Sequence, residues 1–527
     1  MSNDYQGEWV MSSIIEDRAE KLGDRTAVHT RTGSLSWVYL RDRAQRAAAF
    51  LASLGVKPGD RVATMLDPTP DYLAAWFACS WMGAVEVPVN TDYKGTFLEL
   101  VLRESQARVL ILQRRYVERV HDVAAAELLH LVVVGDGEDE VPAGKQLHEF
   151  SDAQSLSPLG RCRRREQDLL YILYTSGTTG PSKGVMHCNR SALWTAHSSR
   201  NVMEIRASDV GFSFFPLFHV TARSAIFTAG MLAGCPTVLR ERFSLENFWP
   251  DVRRYGATFT MYMGSIIHFL CQQPPREGEI ENSLRVASGA AASPELIEQF
   301  ERRFGCRLLE IYGMTEIGTT SGPQKGGQAV KGTMGRPLNH LTVEIHDEDD
   351  GVLPANVPGE IVVRPNSPFA IMQGYWRQPE ATIQAWRNLW FHTGDLGKLT
   401  ADGDLVFIDR LKDSMRRRGE NISSFEVERA VQTHPDVEEC AAFAIPSEAT
   451  EDEVMIAVVL REGGCVSLDE LHSYCVKVLP RFAVPRYVRI VDALPKTPTG
   501  RVQKHLLRAE GVTSDTAYRE PRRKQHD

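Results

Sequence analysis

Short apolar runs alternate with amphipathic helical patterns along the first part of the chain, and this alternation limits the fold more than any other feature. Residues 42–54 carry a helical pattern stopped by Gly55, 61–66 an apolar run of strand length, 71–82 a helix and 85–89 another strand. The runs at 109–112 and 131–134 are short and apolar throughout, as strands covered on both faces are. Strands alternating with helices predict an α/β fold built on mostly parallel sheet, with helices packed over it. Further along, Ser293 reads as an N-cap, Pro294 as the first helical position and Gly305 as a stop. The strand expected next, 308–312, delivers the following segment to a carboxyl edge, where open α/β sheets bind their ligands. Residues 135–165 mix charge, proline and glycine with few periodic signals and read as loop-rich.

The chain has 527 residues, more than one hydrophobic core usually supports. Its character changes near Asp409-Arg410-Leu411-Lys412. Beyond that point a helix is expected from about Ser423, opened by a Ser-x-x-Glu box with Glu426. Strands are expected at 439–444, 454–460 and 487–491, with a second box at Ser467 and Glu470. Two domains follow: a large one, 1–411, and a small α+β one, 412–527. The polar end, around 520–524, is expected to fray.

The net charge of −8 argues against broad, sequence-independent binding to nucleic acid. Met1-Ser2-Asn3-Asp4-Tyr5 lacks the basic and apolar regions of a secretory signal, and apolar runs such as 72–85 are too short and mixed to span a bilayer. Nine cysteines are scattered singly, which suggests free thiols and gives no zinc spacing. Cytoplasm is the expected location.

The most informative stretch is Tyr174-Thr175-Ser176-Gly177-Thr178-Thr179-Gly180-Pro181-Ser182-Lys183-Gly184. Glycines let backbone N–H groups approach an anion closely, hydroxyls donate to phosphate oxygens, and Lys183 adds a point charge. These are the parts of a loop that wraps a triphosphate. The spacing from Gly177 to Lys183 is not that of a Walker A loop. A flexible surface loop rich in small residues has a similar composition.

Four further segments follow: Phe215-Pro216-Leu217-Phe218-His219, Ser288-Gly289-Ala290-Ala291, Tyr312-Gly313-Met314-Thr315-Glu316 and His392-Thr393-Gly394-Asp395-Leu396-Gly397. Together, in this order, they resemble the motifs of the adenylate-forming superfamily of acyl-CoA synthetases, peptide-synthetase adenylation domains and luciferases. The resemblance runs from about Trp9 to Arg508. The run Arg416-Arg417-Arg418-Gly419-Glu420-Asn421-Ile422-Ser423 looks closest to the acyl-CoA ligases that include the carnitine/crotonobetaine-CoA ligase-like group.

The resemblance implies a large domain that binds ATP and acyl-adenylate, and a small domain that swings about a hinge at Lys412. It implies a triphosphate held by Thr175, Ser176, Gly177, Thr178, Thr179 and Lys183. His219 would lie between the acyl pocket and the thiol tunnel. Gly289, Ala290 and Ala291 would meet adenine and part of the acyl group. Tyr312 would stack on adenine and Thr315 would donate to the α-phosphate. Glu316 would hold Mg²⁺, which takes few protein carboxylates and completes its shell with phosphate oxygens and water. Asp395 would accept both ribose hydroxyls, with Arg410 as an added donor. Gly419 would line the tunnel for the pantetheine of coenzyme A. The arginines at 416–418, being basic, could meet its phosphates, and a run of three arginines is equally the mark of a solvated loop. Gly374-Tyr375-Trp376 resembles a structural motif with no catalytic part.

One position departs from the family pattern. The small domain usually ends in a glycine followed by a lysine that contacts the substrate carboxylate and α-phosphate during adenylation. Here Gly500 is followed by Arg501. Arginine keeps the charge and changes the geometry, because a planar fork is bulkier than an ammonium and aims its donors differently. Lys496 and Lys504 are near in sequence but not at the motif position. The expected activity is acyl-CoA ligation from a carboxylic acid or its acyl-adenylate and CoA, with thioester formation more secure than adenylation. One alternative is a ligase that only converts preformed acyl-AMP. Another is an acyl-AMP ligase loading a separate carrier protein, since no carrier domain is read after the small domain. Binding of nucleotide without turnover is a third, disfavoured by the intact Thr315, Glu316 and Asp395. The acyl pocket is expected to draw on 261–267 together with His219 and Gly289, an apolar set suited to neutral acids.

Overall fold

The computed structural model describes residues 7–31, 33–137, 140–175, 182–275, 279–290, 292, 294–324, 329–411, 415–417, 420–422, 424–447, 452–495, 502 and 504–518. The chain divides into two compact units. One comprises Met1–Thr91, Val101–Tyr174 and Gly184–Asp409; the other comprises Asp92–Leu100, Thr175–Lys183 and Arg410–Asp527.

The first unit is built on two seven-stranded sheets. One orders its strands Gln146–Glu149, His130–Val134, Val109–Gln113, Arg61–Met65, Val85–Pro88, Leu169–Thr175 and Lys183–Cys188. Its pairings from Gln146–Glu149 across to Leu169–Thr175 are parallel. The other runs Arg307–Glu310, Val286–Ala290, Phe259–Met263, Gly211–Ser213, Thr237–Leu239, Thr26–Thr30 and Gly33–Ser36, parallel except for the final hairpin. The apolar runs expected as strands are buried, as helices on both faces require. An antiparallel sheet follows, with Leu341–His346, Gly359–Pro365, Phe391–Leu399 and Leu405–Arg410 in that order.

Three expectations shift. The helix placed at 42–54 runs Trp37–Ser53, because Ser36 caps it by accepting the Tyr39 N–H. The strand placed at 308–312 breaks at Ile311. Arg307–Glu310 stays in the parallel sheet, while Tyr312–Met314 pairs antiparallel with Gly318–Gly322. Gly318 allows that reversal: its φ is +65°, and a Cβ there would lie 2.3 Å from Thr195 Oγ1. Within 135–165, Gln146–Glu149 forms a strand and Phe150–Ser155 a 3₁₀ helix; the strand is half-buried at its sheet's edge and carries no apolar run to reveal it.

In the second unit the sheet runs Val437–Pro446, Asp452–Leu460, Tyr487–Ile490 and Ala517–Tyr518, with helices Ser424–Val431, Leu468–Val478 and Lys504–Glu510. The Ser467–Glu470 capping box forms. Ala441, Phe443, Ile445, Met455, Ala457, Leu494 and Leu507 make the core. All nine cysteines are free. No described helix is long and apolar enough to cross a membrane.

Candidate functional site

The hairpin that begins at Tyr312 carries three of the candidate residues, and each is held by a partner distant in sequence. Tyr312 Oη donates to Asp395 Oδ2 at 2.7 Å. Asp395 is 2 % exposed, so it is no surface ion pair of small value. Its strand, Phe391–Leu399, bulges around Glu360 on the neighbouring strand. One Glu360 oxygen accepts Gly394 N at 3.0 Å, and the other lies 2.9 Å from His392 Nδ1. Burial alone would raise the Glu360 carboxyl, but the bonds from His392 and Gly394 prevail and hold it below its ordinary value. Thr393 Oγ1 accepts Asp395 N at 3.1 Å and donates to Ile361 O at 2.7 Å.

Thr315 and Glu316 form the corner of the hairpin. The Thr315 carbonyl lies 2.7 Å from His187 Nε2. Glu316 is 6 % exposed, its backbone carbonyl accepts Met372 N at 2.9 Å, and its Oε1 accepts Tyr375 Oη at 3.1 Å. Burial, and then the Glu316 carboxylate, raise the Tyr375 phenol and keep its proton on. Among the described residues no group of three or more His, Cys, Asp or Glu is placed to hold a metal. A lone, hard, pre-oriented carboxylate oxygen at Glu316 fits Mg²⁺ of the kind that completes its shell with phosphate oxygens and water.

The small residues before the helix Pro294–Phe304 are packed. A Cβ on Gly289 would lie 2.2 Å from Tyr262 O, so the room beside that glycine belongs to Tyr262 on the adjacent strand. Glu310, level with Gly289 on the next strand, accepts the Ala292 N–H; burial outweighs that bond and pushes its carboxyl to about 7. Ala290 ends the strand Val286–Ala290 and is half-buried. Met261, Tyr262 and Met263 end the strand Phe259–Met263, and the helix Gly264–Cys271 carries the rest of the expected acyl-pocket segment.

His219 is half-buried, with its ring 4.8 Å from Phe218. A π-helical segment, Thr221–Thr228, follows it. Within that segment Arg223, fully buried, donates through Nε to Leu217 O at 3.0 Å and through Nη2 to Glu86 Oε1 at 2.9 Å. Glu86 also accepts Thr64 Oγ1 at 2.9 Å. The turn that presents His219 is therefore anchored to a satisfied buried ion pair, whose rupture would strand a charge at a cost of about 3–5 kcal/mol.

In the second unit, Ser182 is the last hydroxyl of the glycine-rich stretch and precedes Lys183, which is half-buried. Its N–H donates to Glu426 Oε1 at 2.6 Å, and its hydroxyl donates to the same oxygen. Burial pushes the Glu426 carboxyl to about 7 against those two bonds. Lys504 is committed elsewhere: Nζ lies 2.6 Å from Ser424 Oγ and 2.6 Å from Glu428 Oε1. Ser176, Gly177, Thr178, Thr179, Ala291, Lys412, Gly419, Arg501 and the box serine Ser423 lie outside the described residues, as does Lys496; Arg410 closes the strand Leu405–Arg410. Sequence reading missed His187 and Glu360, gave Tyr375 no part, and took Ser182 only as one hydroxyl of the glycine-rich stretch. Tyr375 and Ser182, each inside a recognised motif, had a signal that pointed to them.

The chain matches the model of the AMP-binding enzyme over residues 15–376, and that of the AMP-binding enzyme C-terminal domain over 426–501. It is 30% identical over 519 residues to the crotonobetaine/carnitine–CoA ligase of Salmonella paratyphi C, covering 96% of this chain and 100% of that one. Among solved structures it resembles the amide bond synthetase McbA from Marinactinospora thermotolerans, with a TM-score of 0.83, 25% identity, and 94% and 99% of the two chains covered. The fold is also that of an o-succinylbenzoate CoA synthetase from Bacillus subtilis, with a TM-score of 0.81, 23% identity, and 94% and 98% covered.

Proposed function

The chain belongs to the AMP-binding enzyme family, and on that premise we propose that it is an AMP-forming acid–thiol ligase, joining a carboxylic acid to coenzyme A through an acyl-AMP. The observation that carries this reading is the buried Asp395 carboxylate, oriented by Tyr312 and set in a strand bulge pinned by Glu360. A carboxylate prepared in this way suits two vicinal hydroxyls, as a ribose offers. The tyrosine ring beside it supplies a flat face for a base.

In the proposed mechanism Thr315 donates to the α-phosphate and His219 orients the acyl carboxylate. Glu316 would hold Mg²⁺, which when bound offsets charge on the phosphates. Thr175, Ser176, Gly177, Thr178, Thr179 and Lys183 take the triphosphate, and Gly289, Ala290 and Ala291 border the nucleotide and acyl group. Lys412 serves as hinge between a large domain, 1–411, and a small one, 412–527. Gly419 keeps the thiol path open, and Arg410 assists Asp395. Attack of the thiol on the acyl-AMP carbonyl forms the thioester and releases AMP, with no covalent bond to the enzyme.

The two half-reactions are unequal. Arg501 stands where a lysine serves adenylation, and Lys504 is bound to Ser424 and Glu428. We therefore assign the chain a stronger second half-reaction than first, with conversion of preformed acyl-AMP as its limit. The test is a panel of carboxylic acids and synthetic acyl-adenylates, each supplied with CoA and scored for acyl-CoA by mass spectrometry. Acyl-CoA from at least one adenylate is expected. No product from any adenylate, or product only on an acyl carrier protein, overturns the reading.

A further inference from the structure

The strand Lys183–Cys188 leaves the glycine-rich stretch, and past Lys183 no residue on it has a place in the mechanism above. It nevertheless holds the corner that does. His187, 1 % exposed, points Nε2 at the Thr315 carbonyl, 2.7 Å away. A carbonyl oxygen only accepts, so Nε2 carries the proton. In a neutral imidazole Nδ1 is then an acceptor, and Ser191 Oγ, 3.0 Å from it, is the matching donor. The Ser191 hydroxyl also has the Cys188 carbonyl within reach as an acceptor, 3.2 Å away, and Cys188 Sγ lies 3.6 Å from Ser191 Oγ. The Thr315 carbonyl thus selects one tautomer. Burial keeps the ring neutral by pushing its pKa down to about 4, despite the opposing pull of Thr315. Tyr171 lies against the ring, with centroids 5.3 Å apart.

The same strand is the backbone partner of the segment that orients Glu316. Met186 N donates to Gly374 O at 3.0 Å, Gln373 N to Met186 O at 2.8 Å and Trp376 N to Gly184 O at 2.7 Å. Gly184 is required for that approach, since a Cβ there would sit 2.8 Å from Ile172 Cγ2 and 3.2 Å from Trp376 Cβ. This ladder sets Tyr375 where its hydroxyl meets Glu316. Thr315 and Glu316 are thus both referenced to one strand, the first directly through a side chain.

We infer that His187 is a positioning residue for the chemistry proposed for this corner: its Nε2–H fixes the Thr315 carbonyl and so the direction in which the Thr315 hydroxyl faces an adenylate phosphate. The inference rests on the acyl-adenylate reading above. The next carbonyl, that of Glu316, accepts Met372 N, a backbone donor, so the side chain at 187 is the element a substitution can remove cleanly.

The test uses the full-length protein as His187→Phe and His187→Gln, with AMP affinity by calorimetry, kcat and KM for acyl-CoA formation from acyl-AMP, and the thermal midpoint. Phenylalanine fills the space without a donor; glutamine restores an N–H near the Nε2 position. His187→Phe is expected to weaken AMP binding about fivefold, as loss of one hydrogen bond implies, and to lower kcat roughly tenfold or more by misplacement. KM for CoA stays unchanged. His187→Gln is expected to recover most of both losses whatever its thermal midpoint does. A folded His187→Phe that binds AMP and turns over as the wild type does, or an equal loss in both variants, overturns the inference. Should His187→Phe not fold, Ser191→Ala takes its place; removing the Nδ1 donor is expected to weaken AMP binding about threefold, and unchanged AMP affinity overturns the inference. The AMP measurement needs no turnover. A wild type that makes no acyl-CoA, with AMP binding still lost in His187→Phe, would remove the ligase reading and leave the positioning role standing.

Discussion

Tyr312 donates its phenolic proton to Asp395 across 2.7 Å, joining a hairpin strand to a strand of another sheet 83 residues further along the chain. The bond sets two surfaces at once: the face of the ring and the direction of the carboxylate. A hydrogen bond to a charged group is worth about 1.5–3 kcal/mol, so Tyr312→Phe is expected to weaken AMP binding roughly tenfold while keeping the ring face. Calorimetry with AMP reads the change. Wild-type affinity in the variant would mean that Asp395 is oriented without Tyr312.

Arg501→Lys restores a compact ammonium at the motif position. ATP–pyrophosphate exchange with an accepted acid is expected to rise by about tenfold or more, since a contact displaced by about 1 Å loses roughly a hundredfold in rate. Thioester formation from supplied acyl-AMP is expected to stay the same. Exchange in the wild type already equal to that of the variant would remove any handicap assigned to arginine.

Gly289→Ala places a methyl 2.2 Å from the Tyr262 carbonyl oxygen and 2.8 Å from its ring, so backbone has to move. Overpacking of this kind costs about 1–3 kcal/mol. A lower thermal midpoint and a raised KM for acyl-AMP are expected together, because Gly289 and Ala290 share one strand end. A variant with both values unchanged would place the pocket wall elsewhere.

Glu426 predicts a pH dependence with a definite sign. Burial first, against two bonds from Ser182, raises its carboxyl from the ordinary value to about 7, so the folded state holds this proton more tightly than the unfolded chain does. Its contribution to stability is full below the ordinary carboxylate range and is lost as pH rises towards 7. Glu426→Gln keeps an acceptor for Ser182 N and cannot ionise. The thermal midpoint of the variant minus that of the wild type is expected to grow between pH 5 and 7, and a constant difference would show that Glu426 does not titrate in that window. The difference is the quantity to measure, because Glu310, also raised to about 7, acts in the same direction in both proteins, while His187 and His340, lowered to about 4, act in the opposite one.

The elements most easily read were those whose signal is local. Apolar runs such as 109–112 announced buried strands, Pro294 and Gly305 bounded a helix, and Ser467 with Glu470 marked a capping box that forms. Less was visible where a local pattern competes with a distant partner. The run after Arg307 reads as one strand, yet it breaks at Ile311 because Tyr312 leaves the parallel sheet to pair with Gly318–Gly322. Residues 146–149 gave no strand signal because an edge position is half-buried and needs no apolar run.

Residue types and spacing alone determined the α/β class, the change of character near Lys412, the order of the motifs and the departure at Arg501, since each is encoded within a few neighbouring residues. Tertiary structure alone decided how those residues are held. His187 meets Thr315 across 128 positions, Tyr375 meets Glu316 across 59, and Ser182 meets Glu426 across 244. Hydrogen bonds at such separations follow from which strands the fold makes adjacent, and no periodicity or composition along the chain records that choice.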